Sequence, residues 1–351
     1  MDPAFNDSIF DKKEERNGLN TEQVTEHFLK LHKEVKNKKG LFLVKEASQW
    51  IDEAKNRPIP KMLFSEFWHE SELCILFADT NTGKSILAVQ IGNSIATGEP
   101  IKGFVLEAKK QKVLYFDFEL SDKQFEIRYS NNYAEHYIFP SYFFRAEIDP
   151  EGEFPEGKFE ETLYSSMEKA IKETGSKILI VDNITYLKDD NEKAKDALPL
   201  MKLLKTLKSK YDLSILVLAH TTKIDEGKLI NKNHLSGSKM LINFCDAAFS
   251  IGQSYQETGL RYLKQIKARN TEIKFDAENV KLCQISKPSN FLMFEFLGHG
   301  TEHSHLKTPG PSQRDELIFR AKDLNKEGKT QREIADELDI GLGTVNKYLK
   351  Y

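Results

Sequence analysis

Residues 78–85 read Ala-Asp-Thr-Asn-Thr-Gly-Lys-Ser, and no other feature of the 351-residue chain constrains its fold as much. An apolar run, Leu73–Ala78, leads into the segment, and an amphipathic stretch, Lys84–Ala96, leads out of it. A loop that joins a buried strand to a helix N-terminus in this way turns backbone N–H groups and the positive helix end toward an anion. The expected anion is the triphosphate of ATP, touched by Asp79, Thr80, Asn81, Thr82, Gly83, Lys84, Ser85 and Ile86. Lys84 is placed to neutralise the outer phosphates, and the Ser85 hydroxyl to ligate Mg2+.

Short apolar runs then alternate with helical patterns. Strands are expected at Val113–Phe118, Tyr142–Ala146, Ile178–Val181 and Ser214–Ala219, with helices at Asp122–Tyr133, Lys158–Thr174 and Ala194–Tyr211. This alternation predicts an α/β fold, a mostly parallel sheet flanked by helices. Ala247–Ile251, Arg261–Lys267 and Phe291–Leu297 read as extra antiparallel strands at the sheet edge. Two strand ends carry acids. Ile178-Leu179-Ile180-Val181-Asp182 delivers Asp182 to the carboxyl edge, where it would share the magnesium shell with Ser85. Asn183 follows and cannot act as a base. Val113–Phe118 delivers Glu119, which is suited to hold an attacking water, with Asp117 a weaker competitor two residues earlier.

Lys and Arg number 51 against 54 Asp and Glu, a net charge of −3, so nucleic acid could be held only by local patches. A hydrophobic content of 39% is enough for a large core and excludes global disorder. Cys74, Cys245 and Cys283 form no CxxC pair, which suits a reducing, cytoplasmic setting. No apolar run nears the roughly 20 residues that span a bilayer, so no membrane association is expected. Met1-Asp2-Pro3 and the charges that follow do not resemble a secretory signal.

Together, the loop, Asp182 and Glu119 resemble the RecA-like P-loop ATPases, and over residues 58–297 most nearly the hexameric helicases of the DnaB and plasmid RepA type. Glu119-Leu120-Ser121 matches the context of that family's catalytic Glu. Ser214–Ala219 followed by His220 and Thr221 is similar to the motif whose polar residue senses the γ-phosphate, which makes His220 the sensor. The polar segment Thr222–Lys239 resembles the central loops that line the ring channel, so Lys223, Lys228, Lys232 and Lys239 would touch single-stranded DNA. Lys264–Arg269 (KQIKAR) is similar to the finger that reaches a neighbour's nucleotide, with Arg269 leading and Lys267 assisting. The resemblance thus implies a homo-oligomeric ring, hexameric in the family, that hydrolyses ATP with Mg2+ and moves on DNA.

Residues 314–351 look like a helix-turn-helix similar to resolvase and LuxR-type modules. Leu317, Ala321 and Leu324 form one stripe ended by Gly328. Thr330-Gln331-Arg332-Glu333 is a capping box, and Ile340-Gly341-Leu342-Gly343 a turn before a third helix starting at Thr344. Gly343, Thr344, Asn346 and Lys347 would approach duplex DNA. Eight basic and eight acidic residues balance from Gln313 to Tyr351, but no acid follows Asp339, leaving the last helix positive. The expected domains are a helical appendage over 1–57, loose over 1–19, with helices from Asn20 or Thr21 and around Trp50, then an ATPase domain over 58–297, a linker over 298–312 and the helix-turn-helix over 313–351. His299, His303 and His305 lie in the linker at a spacing that a metal could use. Two other classes fit the same residues: an ATP-switched DNA-binding regulator or assembly factor without strand separation, and a protein-remodelling ATPase that docks a partner through its C-terminal unit.

Overall fold

The computed structural model describes residues 42–149, 151–152, 159–183, 197–222, 225–236, 238–307 and 313–350. The chain divides into two units, 1–59 and 60–351. In the first, helix α1 (Ala47–Lys55) is exposed along its whole length. Lys45 Nζ lies 4.7 Å from the Trp50 ring centroid. The helix expected from Asn20 or Thr21 lies outside the described residues.

The second unit opens with a small hairpin, β1 (Met62–Phe64) and β2 (Trp68–His69), which buries Leu63, Phe64, Phe67 and Trp68. The main elements follow as β3 (Leu73–Ala78), α2 (Lys84–Thr97), β4 (Val113–Asp117) and α3 (Asp122–Arg128). Next come a two-residue pair, β5 (Ser130–Asn131) and β6 (Glu135–His136), then β7 (Phe143–Ala146), α4 (Phe159–Thr174) and β8 (Ile178–Asp182). The unit continues with α5 (Ala197–Tyr211), β9 (Ser214–His220), α6 (Ser238–Phe244), β10 (Ala247–Gln253), β11 (Leu260–Lys267), β12 (Val280–Ser286) and β13 (Met293–Gly300).

Nine strands form one sheet in the order β13-β12-β11-β10-β3-β9-β8-β4-β7. From β10 to β7 all pairs are parallel; β10–β11, β11–β12 and β12–β13 are antiparallel. This is the mostly parallel sheet flanked by helices that the sequence predicts. Strands β3, β4 and β8 are buried at every position, as apolar runs covered on both faces must be. One face packs α2 and the β1–β2 hairpin over Cys74, Leu76, Val113 and Ile180. The other packs α4, α5 and α6 over Ile75, Leu114, Leu179 and Val217.

Several boundaries differ from expectation. The helix from Asp122 stops at Arg128 rather than Tyr133, and the chain turns into the β5–β6 pair. Strand β12 was not expected; it lies between β11 and β13 and pairs with both. The stretch read as a linker from residue 298 is folded as far as 306: β13 continues to Gly300, and a 3-10 turn at Glu302–His305 buries Glu302 and His305. The reason is a polar anchor. Glu302 accepts from Ile230 N at 2.7 Å and pairs with Lys264, whose Nζ also donates to Ile230 O at 2.8 Å. The linker histidines pack separately, His305 against Tyr262 and His299 against Phe275. Among the described residues no cluster of three His, Cys, Asp or Glu could hold a metal.

The C-terminal residues form three helices, α7 (Gln313–Lys326), α8 (Gln331–Glu337) and α9 (Leu342–Leu349), around Ala321, Ile334, Val345 and Tyr348. Thr330 and Glu333 form the expected capping box, and Gly328 sits at φ 91°. Helix α9 begins at Leu342 with Gly341 at its cap, so Gly343 is helical instead of part of the turn. No helix of the described residues is long and apolar enough to cross a membrane.

Candidate active site at the carboxyl edge of the sheet

Strand β3 lies between β9 and β10; its connection to β4 runs over one face through α2, and the connection from β9 to β10 runs over the other through α6. A crevice at such a switch point opens outside the carboxyl ends of the strands. Register brings the chemical groups there: Ala78 pairs with His220 across β3–β9, and Asp117 with Asp182 across β4–β8. The loop after β3 then enters α2, whose first N–H groups, on Lys84, Ser85 and Ile86, have no partner within the helix. Ile86 buries its side chain in the core, so only its backbone faces the crevice. Asp79, Thr80 and Asn81 are exposed. Thr82 donates to Asp79 O at 2.8 Å, and Asp79 accepts from Thr80 N at 2.7 Å, which shapes the loop. Gly83 has φ 103°, and a Cβ there would lie 2.7 Å from Ile285 Cδ1 and 2.8 Å from Phe294 Cε2. Both backbone sign and space demand glycine.

The Lys84 ammonium is nearly buried. It donates to Ala78 O at 3.0 Å and Asp79 O at 2.8 Å, and lies 3.3 Å from His220 Nδ1. Burial pulls its pKa below the lysine norm, against the charges of Asp182, Glu119 and Asp79. Glu119 reaches the same place from the end of β4. Its Oε1 accepts from the Asn183 amide and lies 3.5 Å from His220 Nε2. That His220 contact holds its carboxyl below the usual range despite partial burial, with Lys84 adding to the effect. Asn183 Nδ2 is also 3.0 Å from His220 Nε2, so one amide links the two groups. Sequence reasoning gave Asn183 no role; its place directly after Asp182 was the available signal.

Asp182 is fully buried. Tyr115 donates its hydroxyl to Oδ2 at 2.5 Å, whereas Oδ1 has no hydrogen-bond partner among the described residues. Burial raises the carboxyl pKa to about 6; the hydroxyls of Ser85 and Tyr115 pull the other way. An orphaned buried carboxylate oxygen beside a serine hydroxyl is a hard oxygen donor pair. It suits Mg2+, which takes few protein ligands and fills its octahedron with water and phosphate. Tyr115 was also missed. It is two residues before Asp117 on the same strand face, but only the cross-strand register shows what it touches.

Beside the loop a cavity of about 370 Å3 opens, lined in part by Asp79, Thr82, Thr221, Thr222, Tyr255 and Leu306. Its volume falls in the range of small-molecule sites.

The remaining expected residues lie elsewhere. Lys267 donates to Ile242 O at 2.5 Å and Cys245 O at 2.8 Å, at the C-terminal end of α6. Arg269, just past β11, bonds Asp246 Oδ1 at 3.1 Å and Asn243 O, and remains half exposed. Asp246 in turn accepts from Leu73 N, at the start of β3. Both cations therefore sit at the end of β3 opposite Ala78, roughly 16 Å away at 3.3 Å per residue. They do not join the loop of their own chain. Lys228 pairs with Asp225 at 3.0 Å and Lys232 is exposed on a 3-10 turn. Lys223 and the side chain of Lys239 lie outside the described residues. Gly343, Asn346 and Lys347 are exposed on α9, with Thr344 partly so.

Among solved structures, a KaiC-like protein from the hyperthermophilic archaeon Pyrococcus horikoshii OT3 is similar over 65% of this chain and 91% of its own, at 13% identity and a TM-score of 0.43. No curated protein sequence matches the chain. Residues 43–226, a little over half of the chain, match the family described as AAA domain. With the strand–loop–helix, the buried acid and the strand-end Glu all at one sheet edge, the chain belongs to the AAA domain family and carries the parts of a P-loop ATPase.

Proposed function

We propose that the chain hydrolyses ATP with Mg2+ within a homo-oligomeric ring, hexameric as in the helicases it resembles, and uses the cycle to act on DNA as a RepA-type helicase. The observation that carries the chemistry is the convergence of Lys84, Glu119, Asn183 and His220, with the orphaned oxygen of Asp182 beside them. The loop N–H groups and Lys84 hold the phosphates. Glu119 orients a water toward the γ-phosphate and, kept ionised by His220, accepts its proton. His220, held through Asn183, registers the terminal phosphate. Ser85 and Asp182 would hold Mg2+, which supplies charge neutralisation during phosphoryl transfer.

A finger supplied to a neighbour is supported by Arg269, which is half exposed, bonds Asp246 and Asn243 O, and lies at the far end of β3 from its own loop. Exposed Lys228 and Lys232 suit the phosphates of a single strand, and Gly343, Thr344, Asn346 and Lys347 suit a duplex. The experiment is ATP turnover with and without single-stranded DNA, together with particle mass in ATP and displacement of a labelled strand. Turnover stimulated by DNA, a ring-sized particle and a displaced strand are expected. Turnover without displacement would move the assignment to the second reading, an ATP-switched DNA-binding regulator. One contact favours that reading: Lys307, just before the three-helix unit, bonds Glu226 through backbone and side chain in the loop that follows β9.

A further inference from the structure

Arg145 on the edge strand β7 has a side chain that is 17% exposed and gathers the whole turn after β4. Its Nε donates to Asp117 Oδ2 at 2.9 Å, its Nη2 to Leu120 O at 2.7 Å and its Nη1 to Asp122 Oδ1 at 2.8 Å. Glu147 lies 3.2 Å from Nη2, and the guanidinium carbon sits 4.8 Å from the Phe125 ring centroid. Asp117, whose side chain is fully buried, uses its other oxygen to accept from Glu119 N at 3.2 Å and Leu120 N at 3.0 Å. The turn bearing Glu119 is thus held on both sides: its N–H groups by Asp117 and its carbonyl by Arg145.

We propose that Arg145 and Asp117 form a positioning clamp that fixes Glu119 over the phosphate loop. This rests on the hydrolytic reading above and adds residues to it. The chemistry explains the residue types. A buried carboxylate beside Asp182 would be an uncompensated second negative charge at the metal shell, and a guanidinium neutralises it while its fixed fork reaches three acceptors at once. A lysine carries the charge but cannot hold all three. Asp117, read from the sequence as a weaker rival for the water-orienting role, faces Arg145 and the turn rather than the crevice.

The test uses the full chain as wild type, Arg145→Lys, Arg145→Gln and the charge-balanced pair Arg145→Gln with Asp117→Asn. kcat and KM for MgATP are measured, with site concentration titrated by a fluorescent ATP analogue and folding followed by thermal unfolding. Arg145→Gln is expected to lower kcat per binding site by tenfold or more with KM within threefold, because loop and Lys84 remain in place. Arg145→Lys recovers part of the loss. The balanced pair, free of a lone buried charge, keeps its folding transition but not its turnover, since Leu120 O loses its donor. Unchanged kcat per site in the balanced pair, or a loss wholly accounted for by fewer binding sites or a raised KM, would overturn the clamp. Absence of turnover in the wild type would instead remove the hydrolytic reading.

Discussion

At the sheet edge Lys84, Glu119 and Asp182 have carboxyl or ammonium pKa values moved by burial and by their neighbours, and these shifts can be tested one by one. Asp182 is the clearest case. Its ordinary carboxyl value of 3.8 rises to about 6 in the fold, chiefly through burial. Between those values the folded chain holds a proton that the unfolded chain has released, so stability falls as pH rises through the window. The difference amounts to at most about 3 kcal/mol. Glu72, pushed up to about 7 by burial, gives a dependence of the same sign, so the comparison must be between proteins. Without metal, Asp182→Asn should unfold at a higher temperature than wild type at pH 7.5, with the gap closing toward pH 4. A gap independent of pH would contradict the raised pKa. Glu119, Asp182 and His220 were legible in the sequence because each ends an apolar strand, and parallel strands deliver such residues to one edge. Tyr115, Asn183 and Arg145 were not, because their roles arise from cross-strand register, which a linear pattern does not carry.

At the scale of elements, the phosphate loop and the three-helix unit make separate predictions. Gly83→Ala meets both a left-handed backbone and the Ile285 and Phe294 side chains. A loss of about 1–3 kcal/mol is expected, together with weaker nucleotide binding; thermal unfolding and titration with a nucleotide analogue measure the two. Thr330→Ala removes the side chain that accepts from Glu333 N at the start of α8, and should cost about 1 kcal/mol of the unit's stability with ATP turnover unaltered. Core strands were readable as continuous apolar runs. Strand β12 was not, because Lys281 and Gln284 break the apolar pattern. The 298–312 stretch looked like a linker by its Gly, Pro, Ser and Thr content, and only the buried Glu302–Lys264 pair explains why its first part folds.

For the whole molecule, placing Arg269 at the opposite end of β3 from Ala78 has a consequence for mixtures. Arg269→Ala should bind nucleotide as wild type does yet lose turnover. Lys84→Ala should lose turnover by failing to hold phosphate. If the ring reading holds, mixing the two inactive proteins restores part of the activity, because an Arg269→Ala subunit has an intact loop and its Lys84→Ala neighbour an intact finger. No recovery in co-assembled particles would argue against a finger supplied in trans. The question beneath all of these is whether water is activated by Glu119 at the loop of residues 78–85. The direct measurement is phosphate release from MgATP by wild type and Glu119→Gln, with nucleotide affinity determined in parallel. Expected is turnover in the wild type and a fall of about 100-fold or more in Glu119→Gln at unchanged affinity. Equal turnover in the two proteins would contradict this assignment.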